Sequence, residues 1–308
     1  MSTLNVDQIL PQSGTKVDVN GIVIKDTVNA AFVLYGGTAF NANTSVGTNT
    51  TVIGNGAMLA NTGTSNTAVG ALSLRNNTSG TQNTALSVQA LNSNTTGNGN
   101  TAIGKSALQN NTTGNSNTAI GADALLGVTT GIENVGVGGG SGFNLTTGSF
   151  NVIVGVSSGA LITTGSNNVC LGDDTQTATP TTSNSITLGN GSHNILRCNV
   201  TSITSLSDAR DKKDVKELGA GLEFVKGLKP VEFVWNEREE KGKHDIKDFG
   251  FIAQDLKKSQ EDAELAETLK LVYEENPEKL EASYGKLIPI LVKAIQDLSA
   301  KVEALEAK

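Results

Sequence analysis

A short phrase in which polar and apolar positions alternate, Asn-Thr-Ala-Ile-Gly, returns along the first two thirds of the chain every 17 residues. Aligned on its glycine, the column reads Gly37, Gly54, Gly70, Ser87, Gly104, Gly121, Gly138, Gly155, Gly172 and Gly189, with one step of 16. The position before it is always aliphatic from Ile53 to Leu188, and two positions further back stands Thr, Val or Ile. Asparagine recurs four positions before the glycine, at Asn66, Asn83, Asn100, Asn117, Asn134, Asn151 and Asn168. A second glycine column (Gly63, Gly80, Gly97, Gly114, Gly131, Gly148, Gly165) keeps the period, so the missing residue lies between Gly54 and Gly63.

Glycine tolerates positive φ, so each repeat is predicted to have two turn points with two short segments between them. The Thr/Val and aliphatic columns are two residues apart and share one face of a strand. A third apolar column, Met58, Leu74, Leu91, Leu108 and Leu125, is expected on a second strand. Coils stacked at about 4.8 Å each give a rod of roughly 40 Å, with the asparagines as a hydrogen-bonded ladder up its side. Two or three aliphatics per coil do not bury a sufficient core alone, so partner chains are expected, with a trimer as the natural closure. These repeats resemble the head repeats of trimeric autotransporter adhesins, parallel β-rolls that also read Asn-x-x-Ile-Gly but with a shorter period. The fold predicted for residues 36–192 is therefore a mainly β shaft, a trimeric parallel β-roll or β-solenoid.

The flanks read differently. Val17 to Ile24 alternate around Asn20-Gly21, a hairpin signal, and residues 1–35 are read as a capping or attachment region. Residues 175–185 form a polar break before the last repeat, and Ile195–Val200 reads as a closing strand within a 193–206 linker. At the C-terminus Ile288, Leu291, Ile295, Leu298, Val302 and Leu305 step by 3, 4, 3, 4, 3. That heptad predicts a short parallel coiled coil over 287–308, against the simpler reading of an amphipathic helix packed on its own domain.

Composition divides the chain at the same place. Residues 1–206 hold 5 of 23 Lys+Arg, 7 of 30 Asp+Glu and 29 of 35 Gly. Net charge is −7 with neither part basic, which excludes the electrostatic footprint of a nucleic-acid binder. No apolar run suits membrane insertion, and Met-Ser-Thr-Leu-Asn-Val-Asp at the start has no secretion-signal character. Cys170 and Cys198 form no framework, and Cys170 takes a repeat position held elsewhere by Ala, as a small buried thiol. Synthesis in a reducing cytoplasm follows. The few shaft carboxylates (Asp123, Glu133, Asp173, Asp174) do not supply the opposed pair that glycoside cleavage needs. His244 in a polar loop has no second ligand at metal spacing. No metal or cofactor is expected.

The charge-rich part opens with Ser207-Asp208-Ala209-Arg210-Asp211-Lys212-Lys213-Asp214-Val215, which fits Ser-Asp-x-Arg-x-Lys-x-x-[Ile/Val]. Leu228–Trp235, Asp248–Leu256 (with Gly250-Phe251-Ile252-Ala253-Gln254) and Tyr284–Leu291 follow. In these segments residues 207–308 resemble the C-terminal intramolecular chaperone of phage tailspikes and fibres, the self-cleaving Ser–Lys peptidase family. That resemblance implies an α+β domain ending in the coiled-coil helix, with Ser207 as nucleophile, Lys212 as base and Ser207–Asp208 as the scissile bond. Arg210 and Val215 support the motif. A lysine serves as base only when its amine is neutral. Arg210 and Lys213 are cations that favour that form, Asp208, Asp211 and Asp214 oppose it, and Lys213 is the alternative base. Without the resemblance, Ser207 is simply an N-cap before a charged first turn.

The function implied is a structural tail fibre or spike subunit of a virion, a homotrimer for host adhesion that acts enzymatically only on its own chain. Its expected partners are other tail or baseplate proteins through the N-terminal region and a host cell-surface receptor, expected to be a glycan. The alternatives are a fibre whose uncleaved C-terminal domain stays as the distal tip, a bacterial trimeric adhesin, and a capsule-depolymerising tailspike.

Overall fold

A computed structural model describes residues 17–19, 22–24, 32–34, 49–59, 61–193, 207–236 and 244–308. The chain divides into two units, Met1–Asn190 and Gly191–Lys308. Asn20-Gly21, the Ile195–Val200 strand, Cys198 and the 194–206 linker lie outside the described residues. The strands flanking Asn20-Gly21, β1 (Val17–Val19) and β2 (Ile22–Ile24), pair antiparallel, as that signal predicts.

The first unit is a parallel β-solenoid. Its strands are β3 (Phe32–Leu34), β4 (Thr51–Ile53), β5 (Thr67–Val69), β6 (Thr84–Leu86), β7 (Thr101–Ile103), β8 (Thr118–Ile120), β9 (Val135–Val137), β10 (Val152–Val154), β11 (Val169–Leu171) and β12 (Ile186–Leu188). They form one sheet in sequence order. Equivalent residues pair along it, as in Ala102 opposite Ala119 and Ile103 opposite Ile120. The polar run 175–185 does not break the sheet, because β11 still pairs with β12. In place of the second glycine, Thr182 offers its carbonyl to Asn168 Nδ2 at 2.7 Å.

Each coil contributes one strand, where two were expected. In every strand from β4 to β11 the middle residue is the buried one, and the Thr/Val and aliphatic columns face outward. The core is lined instead by Val52, Ala68, Ala85, Ala102, Ala119, Ile153 and Cys170. The Met58–Leu125 column is buried as predicted but lies in turns, with φ of 45–51°. A left-handed leucine costs about 1–2 kcal/mol, whereas burying its side chain returns about 1.5–3 kcal/mol, so packing wins. Where Gly142 and Gly159 replace leucine, the larger Ile153 packs against both. Core volume is thereby kept.

Both asparagine and glycine columns have a definite part. Asn100 Nδ2 donates to Asn83 Oδ1 at 3.1 Å and to Gly114 O at 2.8 Å. Its own Oδ1 accepts from the Asn117 backbone N–H at 2.9 Å. The ladder was expected on the shaft's side; it is fully buried inside. A second buried ladder, Asn61–Asn77–Asn94–Asn111, runs beside it. The first glycine column has φ of 125–136° from Gly54 to Gly172. The second does not need positive φ. Glycine is required there because the next coil's backbone passes too close, so that a Cβ on Gly97 would overlap the Gly114 carbonyl. The short repeat loses its residue in this turn, where Asn61-Thr62-Gly63 stands against Asn77-Thr78-Ser79-Gly80.

The second unit is α+β. It comprises α1 (Leu222–Gly227), β13 (Val231–Asn236), β14 (His244–Gly250), α2 (Ala253–Asp262), α3 (Ala266–Leu269), β15 (Val272–Tyr273), β16 (Glu281–Ala282) and α4 (Leu287–Glu306). After α3 ends at Leu269, β15 and β16 pair antiparallel on either side of Asn276-Pro277. The core gathers Ala220, Phe224, Leu269, Leu271, Leu287 and Ile290. Helix α4 therefore packs on its own domain through one face (Leu287, Ile290, Ala294). Its predicted heptad seam, Ile288 to Leu305, is exposed on another.

Candidate functional site

The residues from Ser207 to Lys212 fold back through one tight turn. Asp208 is extended and caps a single 3-10 turn, Ala209–Asp211, accepting the Arg210 backbone N–H at 2.8 Å. Lys212 N–H closes the turn on Ala209 O at 3.2 Å. Arg210 grips the same carboxylate with two groups, Nε at 3.0 Å from Oδ1 and Nη2 at 2.6 Å from Oδ2. Such a two-pronged contact between fork and carboxylate is the strong form of the pair.

That turn reverses the chain and carries the Lys212 side chain back to its start. Lys212 Nζ donates to Ser207 Oγ at 2.6 Å and lies 3.4 Å from the Ser207 carbonyl oxygen. Five residues of separation give this contact because a turn intervenes. In the chain, the site is exposed.

Two of the five charged neighbours weighed from the sequence, Asp208 and Arg210, act on each other. Hydrogen bonds from the Arg210 side chain and backbone hold the Asp208 carboxyl below its usual range, and Asp208 in turn raises Arg210. Arg210 is thus committed to the turn. Stability from a lowered carboxylate is present above its unfolded pKa, about 3.9, and is lost as pH falls through the folded value. Val215 is 79% exposed.

The remaining motif segments meet inside the domain. Gly250 ends β14 where a Cβ would stand 2.7 Å from the Tyr284 hydroxyl. That hydroxyl accepts the Phe251 N–H at 3.1 Å, and the two rings meet edge-on with centroids 5.8 Å apart. Asp297 on α4 accepts the Leu222 N–H at 3.0 Å, at the start of α1. The sequence reading missed that cap, since 75 residues separate the partners. Among the described residues no cluster of His, Cys, Asp and Glu could hold a metal.

Residues 207–265 match the family described as chaperone of endosialidase. No curated protein and no solved structure matches the chain. The β-solenoid together with this domain fits a phage tail fibre or tailspike-like, phage-associated protein. Among the described residues no helix is long and apolar enough to cross a membrane. From Ser207 to Leu265 the chain is an intramolecular chaperone domain of the endosialidase-chaperone family.

Proposed function

We propose that this chain is a homotrimeric tail fibre or spike subunit for host adhesion, assembled by its C-terminal domain, which then releases itself at Ser207–Asp208. The observation that carries this reading is the 2.6 Å contact from Lys212 Nζ to Ser207 Oγ inside the matched segment. On this reading the fibre is made in the host cytoplasm and carried on the virion. Residues 1–35 attach to other tail or baseplate proteins, and the shaft meets a cell-surface glycan.

Neutral Lys212 takes the Ser207 hydroxyl proton, and Oγ attacks a carbonyl carbon. The C–N bond then breaks, with Lys212 returning the proton to the leaving amine. Water hydrolyses the resulting ester and restores the hydroxyl. Ser207 Oγ cannot close on its own carbonyl without forming a four-membered ring. The Ser207–Asp208 bond is therefore cut by the Ser207 hydroxyl of a neighbouring copy, which makes release follow assembly.

Intact mass of freshly expressed protein tests this beside Ser207→Ala and Lys212→Arg. Wild type is expected to give two pieces, the smaller beginning at Asp208, with Ser207→Ala whole for want of a nucleophile and Lys212→Arg whole because arginine stays protonated. A fragment beginning at Ser207 would instead assign the attack to the preceding carbonyl. A wild-type chain that stays whole would make the domain a permanent clamp at the fibre tip.

A further inference from the structure

The outer face of the solenoid sheet carries two straight columns that no charge interrupts from β4 to β12. In the third strand position every residue is aliphatic, and Leu86, Val154 and Leu188 are 43%, 38% and 51% exposed. In the first position the column changes along the shaft. It is Thr in β4–β8 and becomes Val135, Val152, Val169 and Ile186 in β9–β12. The face is thus half polar at one end and wholly apolar at the other.

Its extent argues for a particular occupant. Nine strands at about 4.8 Å spacing and a face about 10 Å wide make roughly 400 Å². A stable interface takes about 800 Å² per partner. The stripe is continuous rather than a scatter of single exposed side chains, and at that area it holds a partner only together with a second surface. A second stripe, the heptad seam of α4, is also exposed, with Ile288 and Ile295 at 64% and 67%. The rows repeat at the rise of one coil, and a body that fills every row must share that rise. Another copy of this chain does so by construction.

We propose that this stripe is where further copies of the chain pack, parallel and in register, with β9–β12 as the part that holds and β4–β8 following. The proposal rests on the trimeric fibre reading above and names the surface that serves it. The apolar end comes last in sequence, next before the chaperone domain. Chains joined through α4 therefore close their shafts from the C-terminal end.

The test uses the full-length chain, with sedimentation for oligomeric state and far-UV circular dichroism as a folding control. Val154→Lys with Leu171→Lys is expected to weaken association at least about a hundredfold, from burying uncompensated charge. Thr67→Lys with Thr84→Lys is expected to weaken it less. As a second readout, Val154→Cys in a Cys198→Ser background should give disulfide-linked dimers on oxidation. Parallel packing brings position 154 against itself, whereas antiparallel packing sets β10 against β6. An oligomeric wild type that neither responds to the β10–β11 lysines nor cross-links at 154 overturns the face and leaves the trimer standing. A monomeric wild type overturns the trimer and the face together.

Discussion

Asn111 is the last rung of its ladder. Its Nδ2 donates to Asn94 Oδ1 at 2.8 Å, but the next position is Val128, and Asn111 Oδ1 is buried without a partner. Asn111→Leu only shortens that ladder, as Val128, Leu145 and Ile162 already do, and should change stability by less than about 1 kcal/mol. Asn100→Leu cuts the other ladder in the middle and should cost about 3 kcal/mol by orphaning groups on both sides. Denaturant titration of the two variants decides it; equal losses would mean that the ladders are not load-sharing rungs. Glycines separate the same way. Gly97→Ala drives a methyl into the Gly114 carbonyl and should cost about 3 kcal/mol. Gly99→Ala has 3.7 Å of room and a left-handed φ of 66°, so strain alone applies, about 1 kcal/mol. Both asparagine period and glycine period are plain in the sequence. That one glycine column answers to dihedral angle and the other to contact is not, because the residue type is the same.

At the scale of elements, α1 and α4 are joined by a polar clasp. Asp297 receives the Leu222 N–H and pairs with Lys293 at 3.1 Å. Lys293 also reaches Glu217 at 3.1 Å, and Lys301 reaches Glu223 at 3.0 Å. The Leu222 N–H and then Lys293 hold the Asp297 carboxyl below its usual range. The helix dipole at the start of α1 acts in the same sense. A depressed carboxylate stabilises above its unfolded pKa, and that contribution disappears as pH falls through the folded value. Thermal melts of the C-terminal unit should therefore lose stability as pH falls below about 4. Asp297→Asn should lower the melting temperature at pH 7 and flatten that acid loss; an unchanged pH profile would remove the clasp. The heptad of α4 is legible from its spacing. That Leu287, Ile290 and Ala294 pack on the domain while the seam stays open depends on where α1, Leu269 and Leu271 lie.

At the scale of the molecule, two apolar stripes stay exposed in one chain, one on each unit. Chains that repeat themselves every 17 residues offer many wrong registers, and pairing at a wrong one would match strand to strand almost as well. A C-terminal element that fixes the ends level removes that choice before the shaft closes. The cleavage and the trimer stand or fall on the intact-mass and sedimentation experiments above.

Period, composition and motif determined much of this by themselves. A 17-residue repeat with glycine at fixed points admits little but stacked coils, and the Ser207–Val215 motif identifies the domain after it. Periodicity names columns without saying which way a column faces. Only the tertiary structure decided that the middle strand residue is buried and the aliphatic column lies outside. It also decided that the leucines fill the core from left-handed turns. The physical reason is volume: a middle position beside a turn leucine takes alanine, and the larger Ile153 enters the core where Gly142 and Gly159 stand in the leucine column. The Asp208–Arg210 grip was equally beyond sequence reading, because it depends on a turn that only the folded backbone makes.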